Sequence, residues 1–591
     1  MPGAGGVVVG PIWRYAGGTG GGTAGSTAAG AHGARARAGT EGPDHAADPA
    51  AAIRAAADEA GSQLEALAAR MRDLGRGDEA GIFDAQAMMA TDPELLDAAV
   101  AGVQAGADPA ASVTAAAAAA AATLAALPDE LLAARAADVR DVGARIVRIM
   151  NGVAMDLPDA PAVAIADDLP PSVAAELPPG LLLGIALEGG SATAHAVILS
   201  RGLGIPAVVG ATGLVAAAGG ATTIAMDGET GELVLDPDPA ETAEFAGRAA
   251  ALAARRLAAA SLRGRPGATA DGARVVLLAN IGGPDEAARA IDAGAEGVGL
   301  FRTEFLFMKR QSAPTEAEQV EPYRRVFEAF GPERQVVVRL ADIGGDKGLP
   351  YLGLAPEANP FLGVRAIRLA AGSRELLATQ LRAIWRAAGR AGVTPSVMAP
   401  MVTTLADAQL LLDLRDEARA AVAASGEPLP ARMETGIMVE VPSAAIMAAE
   451  LAGVVDFFSI GTNDLTQYTL AADRSNPALA YLQDALHPAV LRLVAAVVAG
   501  ADGAGIPVAV CGELAGDPLG ALVLMGLGVD ELSADAGSLD GVRAAIASVT
   551  RAQLAELARR ALAATDAAAV RLLARDLLAR VGSGAAAGPR G

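Results

Sequence analysis

At 591 residues the chain exceeds what one hydrophobic core usually supports, so two or three domains are expected. A net charge of −22 argues against general nucleic-acid binding, and any anionic substrate needs a local cluster of cations held against that background. The apolar fraction of 52% is inflated by alanine, and no run of about 20 strongly apolar residues exists to insert into a membrane. No basic region precedes an apolar run at the start, so a signal peptide is not expected, and the single cysteine, Cys511, excludes an internal disulfide framework and fits a reducing, cytoplasmic setting.

Taken in chain order, Gly6 to Trp13 is apolar and reads as a strand. Residues 17–50 are rich in Gly, Ala, Ser and Thr, with too little apolar bulk to offset ordering entropy, and are expected as a flexible loop. From Ala51, the residues Ile53, Ala57, Ala60, Leu64, Leu67, Met71 and Leu74 recur at intervals of three and four, one face of an amphipathic helix. Helical text continues to about Met150, broken at Asp92-Pro93, Asp108-Pro109 and Pro128-Asp129; the run Ala115 to Ala122 is too weakly hydrophobic to insert and reads as helix. Several antiparallel helices fit residues 51–149.

Short apolar runs punctuated by Gly and Pro follow, among them Leu181 to Ile185, Pro206 to Val209 and Glu232 to Leu235. They predict a small α/β unit over residues 150–238, joined by the first strand in 1–16. Residues 239–265 read as a helical linker. Beyond it, candidate strands alternate with helices: Val275–Ala279, Gly297–Leu300, Val336–Leu340, Ser396–Ala399, Gly436–Val439, Phe457–Ile460, Val508–Val510 and Glu531–Ser533. Eight such units over residues 266–580 predict a (β/α)8 TIM barrel, in which polar residues just after each strand share one catalytic face.

Six motifs bear chemistry. In Glu188-Gly189-Gly190-Ser191-Ala192-Thr193-Ala194-His195, glycines before a helix start let backbone amides approach a phosphate, and a histidine in the first turn is placed as a nucleophile. A lone histidine by a Gly-rich turn is more often a bystander, but only four histidines exist; His32 and His45 fall in the Gly-rich tract, and His487, before Pro488, looks structural. Arg302 and Arg339 follow or end barrel strands and Arg365 lies in the segment Asn359 to Arg365 further on; bidentate arginines suit a substrate carrying phosphate and carboxylate, at about 1.5–3 kcal/mol per charge-assisted contact. Lys347 is one of only two lysines in an arginine-biased chain, which points to a need for an ammonium. Glu440 and Asp464 each follow an apolar strand, so a barrel converges them into a hard oxygen site suited to Mg²⁺. Cys511 follows another strand on that face.

The Gly-Gly, Thr193-Ala194-His195 and Gly204-Ile205-Pro206-Ala207 pattern, together with the barrel motifs, resembles the enzyme I family of phosphoenolpyruvate-dependent phosphotransferases. More broadly it resembles the phosphohistidine domain shared with pyruvate phosphate dikinase and phosphoenolpyruvate synthase. Alanine at 194 replaces the family's usual serine. The resemblance implies an N-terminal α/β phosphohistidine domain with an inserted helical carrier-binding subdomain, where Gln86 stands in place of a usual histidine. It implies that Asn463, Asp464 and Arg474 complete the phosphoenolpyruvate contacts and that Cys511 is the active-site acid. An HPr-like phosphocarrier protein and a homodimer through the barrel are further expectations. A dikinase places a nucleotide-binding module before the phosphohistidine domain; 150 helical and loop residues without a Gly-rich nucleotide signature occupy that space here, and that reading is rejected. A phosphoenolpyruvate sensor without carrier transfer is the alternative from another class.

Overall fold

The computed structural model describes residues 2–15, 48–73, 77–126, 135–153, 157–178, 180–189, 200, 204–308, 310–345, 349–355 and 357–586. They form two units, Met1–Ala254 and Arg255–Gly591. The helix Pro239–Ala260 contains the boundary between them.

The first unit is built on a seven-stranded sheet. Its strands are β1 (Pro2–Ala4), β2 (Val7–Arg14), β3 (Ala162–Ala166), β4 (Leu182–Leu187), β5 (Ala207–Val208), β6 (Thr223–Asp227) and β7 (Glu232–Leu235), in the order β1-β5-β4-β3-β2-β6-β7. The β2 to β5 pairs are parallel, while β1, β6 and β7 run antiparallel to their neighbours. Strand β3 is buried on both faces, and its side chains alternate between two cores: Ala162, Ala164 and Ala166 on one, Val163 and Ile165 on the other.

Helices Pro49–Asp73, Gly77–Ala90, Pro93–Gln104, Pro109–Ala125 and Ala136–Met150 are inserted between β2 and β3. The predicted face of the first helix, Ile53 to Met71, is buried against Phe83, Val142 and Ile146. That helix starts at Pro49, within the stretch read as loop, because the Asp48 carboxylate accepts from the amides of Ala50 and Ala51 at 3.0 and 3.2 Å. Asp92 and Asp108 cap the next two Pro-initiated helices in the same way. The alanine run is a helix whose small side chains permit close approach: a Cβ on Gly143 would lie 2.5 Å from that of Ala117.

The second unit is a closed parallel barrel of β8 (Val276–Ile281), β9 (Val298–Phe301), β10 (Val336–Arg339), β11 (Ser396–Ala399), β12 (Glu434–Val439), β13 (Phe457–Ile460), β14 (Val508–Val510) and β15 (Glu531–Asp535), with β15 pairing back to β8. All eight coincide with candidate strands read from sequence, with ends displaced by no more than two residues. Leu300, Val337, Met398, Met438 and Phe457 form an apolar cluster with Cys511, while the opposite faces of the strands join the large core shared with the surrounding helices. Glycines make room inside: a Cβ on Gly436 would meet the Phe457 ring at 2.5 Å. Among the described residues no helix is long and apolar enough to cross a membrane.

Candidate active site

The C-terminal strand ends of the barrel enclose a cavity of about 360 Å³. Arg302 enters it from the residue after β9, Arg339 from the last residue of β10, Glu440 from just after β12, and Cys511 from just after β14. Asn463 and Asp464 reach it from the first turn of the helix Thr462–Leu470, and Arg474 from the loop beyond that helix. Residues as far apart in sequence as Arg302 and Cys511 therefore share one face because parallel strands all end there. Arg365 does not line the cavity. His195 and Lys347 lie outside the described residues.

Two tiers of charge surround this space. Arg339 is buried and donates to Glu304 Oε1 at 2.7 Å, and the same oxygen accepts from the Asp342 amide at 2.8 Å. Burial opposes its charge, but the Glu304, Asp342 and Glu440 carboxylates outweigh that and hold the guanidinium protonated more firmly than usual. Behind the cavity wall Arg365 is fully buried. It grips Asp342 through two bonds of 2.9 and 2.7 Å, touches Asp464 Oδ1 at 3.4 Å and donates to the Tyr468 hydroxyl at 3.3 Å. Arg474 takes the other Asp464 oxygen at 3.1 Å and lies over the Phe361 ring, 5.4 Å from its centroid. Arg302 is exposed at the mouth and makes no ion pair with a described residue.

Glu440 is the least compensated of the carboxylates. Its Oε1 accepts from the Met401 amide at 2.7 Å, and among the described residues no arginine bonds to it. Burial, then the Asp464 and Asp342 charges, push its carboxyl up to about 8, against the pull of Arg339 and Arg365. The amide that serves it belongs to a residue in the left-handed region, Met401 at φ 62°. Ala366, next to Arg365, and Ala471, three residues before Arg474, are also left-handed, at 54° and 52°. Non-glycine residues avoid this region, so strain is concentrated where charged side chains are aimed.

Cys511 is buried at the cavity floor, and burial pushes its thiol up while a hydrogen bond from Ser459 opposes the rise. Asn463 is held by a reciprocal pair with Glu513, its Nδ2 donating at 3.1 Å and its Oδ1 accepting the Glu513 amide at 3.0 Å. His487 caps the helix Pro488–Ala504 through Nδ1, which accepts the Ala489 amide at 3.2 Å, as its place before a proline suggested. Sequence reasoning did not single out Glu304 or Asp342, which line the cavity, or Ser459 and Asn280, which bond to Cys511. Glu304 and Asp342 stand beside residues that were singled out, and a carboxylate two or three positions from a candidate arginine was the available signal.

A barrel with a cavity of mixed cationic and acidic side chains at its strand ends defines an enzyme class that handles small anions. Three family models of phosphoenolpyruvate-utilising enzymes match the chain: the N-terminal region over residues 1–135, the mobile domain over 158–231 and the PEP-binding domain over 257–551. A phosphoenolpyruvate-protein phosphotransferase of Streptomyces coelicolor is 45% identical over 522 residues, 87% of this chain and 91% of its own length. Its counterpart from Geobacillus stearothermophilus is 40% identical over 513 residues, 86% and 88% of the two chains. A multiphosphoryl transfer protein of Rhodobacter capsulatus is 43% identical over 495 residues, 83% of this chain but only 59% of that longer one. Among solved structures, an Enzyme I protein determined by NMR aligns over 43% of this chain and 99% of its own at 25% identity, with a TM-score of 0.32, too low to add to the structural argument. The chain belongs to the phosphoenolpyruvate-protein phosphotransferase family.

Proposed function

We propose that this chain transfers the phosphoryl group of phosphoenolpyruvate to its own His195 and then to a histidine of an HPr-like phosphocarrier protein, releasing pyruvate, as the first step of sugar-uptake phosphorylation. The observation that supports this best is the convergence of Arg302, Arg339, Arg474, Glu440, Asp464 and Cys511 on one cavity. Arg302, Arg339, Lys347 and Asn463 receive the phosphate and carboxylate, and Arg474 and Asp464 hold the substrate's orientation; Arg365, set behind the wall, keeps Asp342 and Asp464 in place.

Glu440 and Asp464 suit a divalent cation, for which we propose Mg²⁺. Glu440, an enclosed carboxylate without a bonded guanidinium, is the group a hard cation would stabilise in its charged form, and Asp464, whose oxygens already contact Arg365 and Arg474, would be its second ligand. Among the described residues no cluster of three or more His, Cys, Asp or Glu side chains is arranged to bind a metal, so the two carboxylates would need further oxygen ligands from outside the protein. When bound, the ion neutralises charge on the phosphate and the developing enolate. His195 attacks phosphorus as the bond to the enol oxygen breaks, and the Cys511 thiol gives its proton to the enolate carbon. A homodimer through the barrel and a cytoplasmic location belong to the same proposal.

Incubation with Mg²⁺ and labelled phosphoenolpyruvate should yield an acid-labile phosphoryl adduct and pyruvate. Label retained in His195→Ala, or absent from the unaltered protein, would sink the reading. Added carrier should then take up the label; failure at that step alone leaves a sensor rather than a relay.

A further inference from the structure

Cys511 is gripped from three directions by buried groups that no step above uses. Its amide donates to Ile460 O at 3.1 Å, its carbonyl accepts from Asn280 Nδ2 at 3.1 Å, and its Sγ accepts from Ser459 Oγ at 3.2 Å. Asn280 is fixed in turn by the Ser533 hydroxyl, which donates to Oδ1 at 2.7 Å. Asn280, Ser459 and Ser533 are buried and come from β8, β13 and β15, three separate strands of the barrel. Polar groups in such an interior are costly unless bonded, and these bonds all lead to Cys511. Because the Ser459 proton points at sulfur, the thiol's own hydrogen is directed elsewhere. It has a long contact to Ile460 O at 3.7 Å, and it has the cavity that Cys511 lines.

We propose that Ser459, Asn280 and Ser533 are positioning residues for proton delivery to the enolate carbon. Asn280 and Ser533 fix the backbone of Cys511, and Ser459 turns the thiol hydrogen toward substrate and stabilises the thiolate left behind. The inference rests on the reading of Cys511 as proton donor. In the step, the S–H bond breaks and a C–H bond forms at the methylene carbon. The enolate closes to the carbonyl of pyruvate, and its negative charge passes to sulfur. A hydrogen bond to a charged acceptor is about twice as strong as a neutral one, so the Ser459 bond strengthens as charge reaches sulfur. The other groups facing the thiol are Arg339 and Arg302, which favour the thiolate, and Glu440, which opposes it.

Two readouts test this. Cys511 is the only cysteine, so iodoacetamide labelling followed by mass across a pH series reports this thiol alone. Exchange of pyruvate methyl hydrogens with deuterated water, in the presence of Mg²⁺, reports proton transfer in reverse. Ser459→Ala is expected to move the labelling midpoint to higher pH and to slow exchange by about 10- to 100-fold, with phosphoenolpyruvate affinity unchanged. Ser459→Thr, which keeps the hydroxyl, restores both, and Ser533→Ala slows exchange without moving the midpoint. A Ser459→Ala protein with the parent's midpoint and exchange rate overturns the proposal, as does failure of Ser459→Thr to restore either. Cys511→Ala separates the two levels: exchange at the parent's rate in that variant removes the reading of Cys511 itself, whereas lost exchange there with normal Ser459→Ala removes only the positioning role.

Discussion

The two ends of the barrel use their carboxylates differently. At the C-terminal strand ends, Glu304, Asp342 and Asp464 are spent on arginines, and Glu440 is enclosed with only a strained amide for company. At the N-terminal ends they also serve the strand backbone, although Glu296 and Glu434 pair with Arg274 and Arg432 as well. Asp456 accepts from the Thr435 amide at 2.7 Å, Asp530 from Val508 at 2.9 Å and Glu296 from Leu277 at 3.2 Å. The left-handed non-glycine residues described in this unit, Ala366, Met401 and Ala471, all stand at the C-terminal end. One end stores charge and strain around a cavity while the other satisfies the donors of the strands it starts, which is the division expected when a barrel separates chemistry from stability.

The largest effect that would test this division is expected at Asp342. Asp342→Ala strips Arg365 of both short bonds and leaves a fully buried guanidinium with Asp464 at 3.4 Å and one hydroxyl. Breaking a buried pair in this way costs about 3–5 kcal/mol. At the other end, Asp456→Ala removes a backbone cap and should cost about 1 kcal/mol. Urea unfolding of the two variants gives the comparison directly. Equal losses would mean that the C-terminal charge network is no more critical to the fold than a strand cap.

The barrel was legible because its strands are short apolar runs with polar residues immediately after them, and Arg302, Arg339, Glu440, Asp464 and Cys511 all line the cavity as their positions after strands suggested. Arg365 shows the limit of that logic. It follows no strand, and its segment folds back to bridge Gly344, which turns the guanidinium behind the wall rather than into the cavity. A count of cations in the barrel motifs cannot distinguish one that lines the cavity from one that is held behind its wall by carboxylates. Ser459 was hidden for another reason. Inside Phe457-Phe458-Ser459-Ile460 it reads as strand, and its partner Cys511 is 52 positions away. The helical insertion was legible from its periodicity and from Asp-Pro starts, whereas the loop boundary at Pro49 was missed because an aspartate cap acts through two hydrogen bonds that composition does not register.

A smaller effect, confined to chemistry, is expected at Gly512. A Cβ there would lie 2.0 Å from Thr462 Oγ1 and 2.6 Å from Thr462 N, so alanine must push the Cys511 loop away from the helix that presents Asn463 and Asp464. Displacements of about 1 Å cost on the order of 100-fold in rate. Gly512→Ala should therefore lower phosphoenolpyruvate-dependent labelling and pyruvate release by about that factor in stopped assays. Gly283, at the same end of the barrel, is extended and has nothing within 4 Å of its would-be Cβ, so Gly283→Ala should leave both rates unchanged. If both variants lose activity alike, the loss reflects general sensitivity of this end and not the close contact at Thr462.

The smallest effect belongs to the N-terminal end, where Glu531 is the exception to the capping pattern. It opens β15 and receives only a long bond from Gln335 Nε2, at 3.4 Å. Burial, aided by the nearby Asp530 and Glu434 charges and opposed by Gln335, pushes its carboxyl from an ordinary 4.5 up to about 7. Below 4.5 the group is neutral in both folded and unfolded chains and contributes no penalty. Between 4.5 and 7 the folded state retains a proton that the unfolded state releases, so stability falls as pH rises through that window and then levels off. Glu531→Gln removes the titration while keeping an oxygen for Gln335 to donate to. It should match the parent below pH 4.5 and exceed it above pH 7 by roughly 1–3 kcal/mol in urea unfolding, with phosphoryl transfer unaffected. A parent and variant whose stabilities run parallel from pH 5 to 7 would show that Glu531 is as well satisfied as Asp456 and Asp530. A variant that gains stability but loses activity would show that the two ends are coupled through the barrel core, and the separation between them would have to be abandoned.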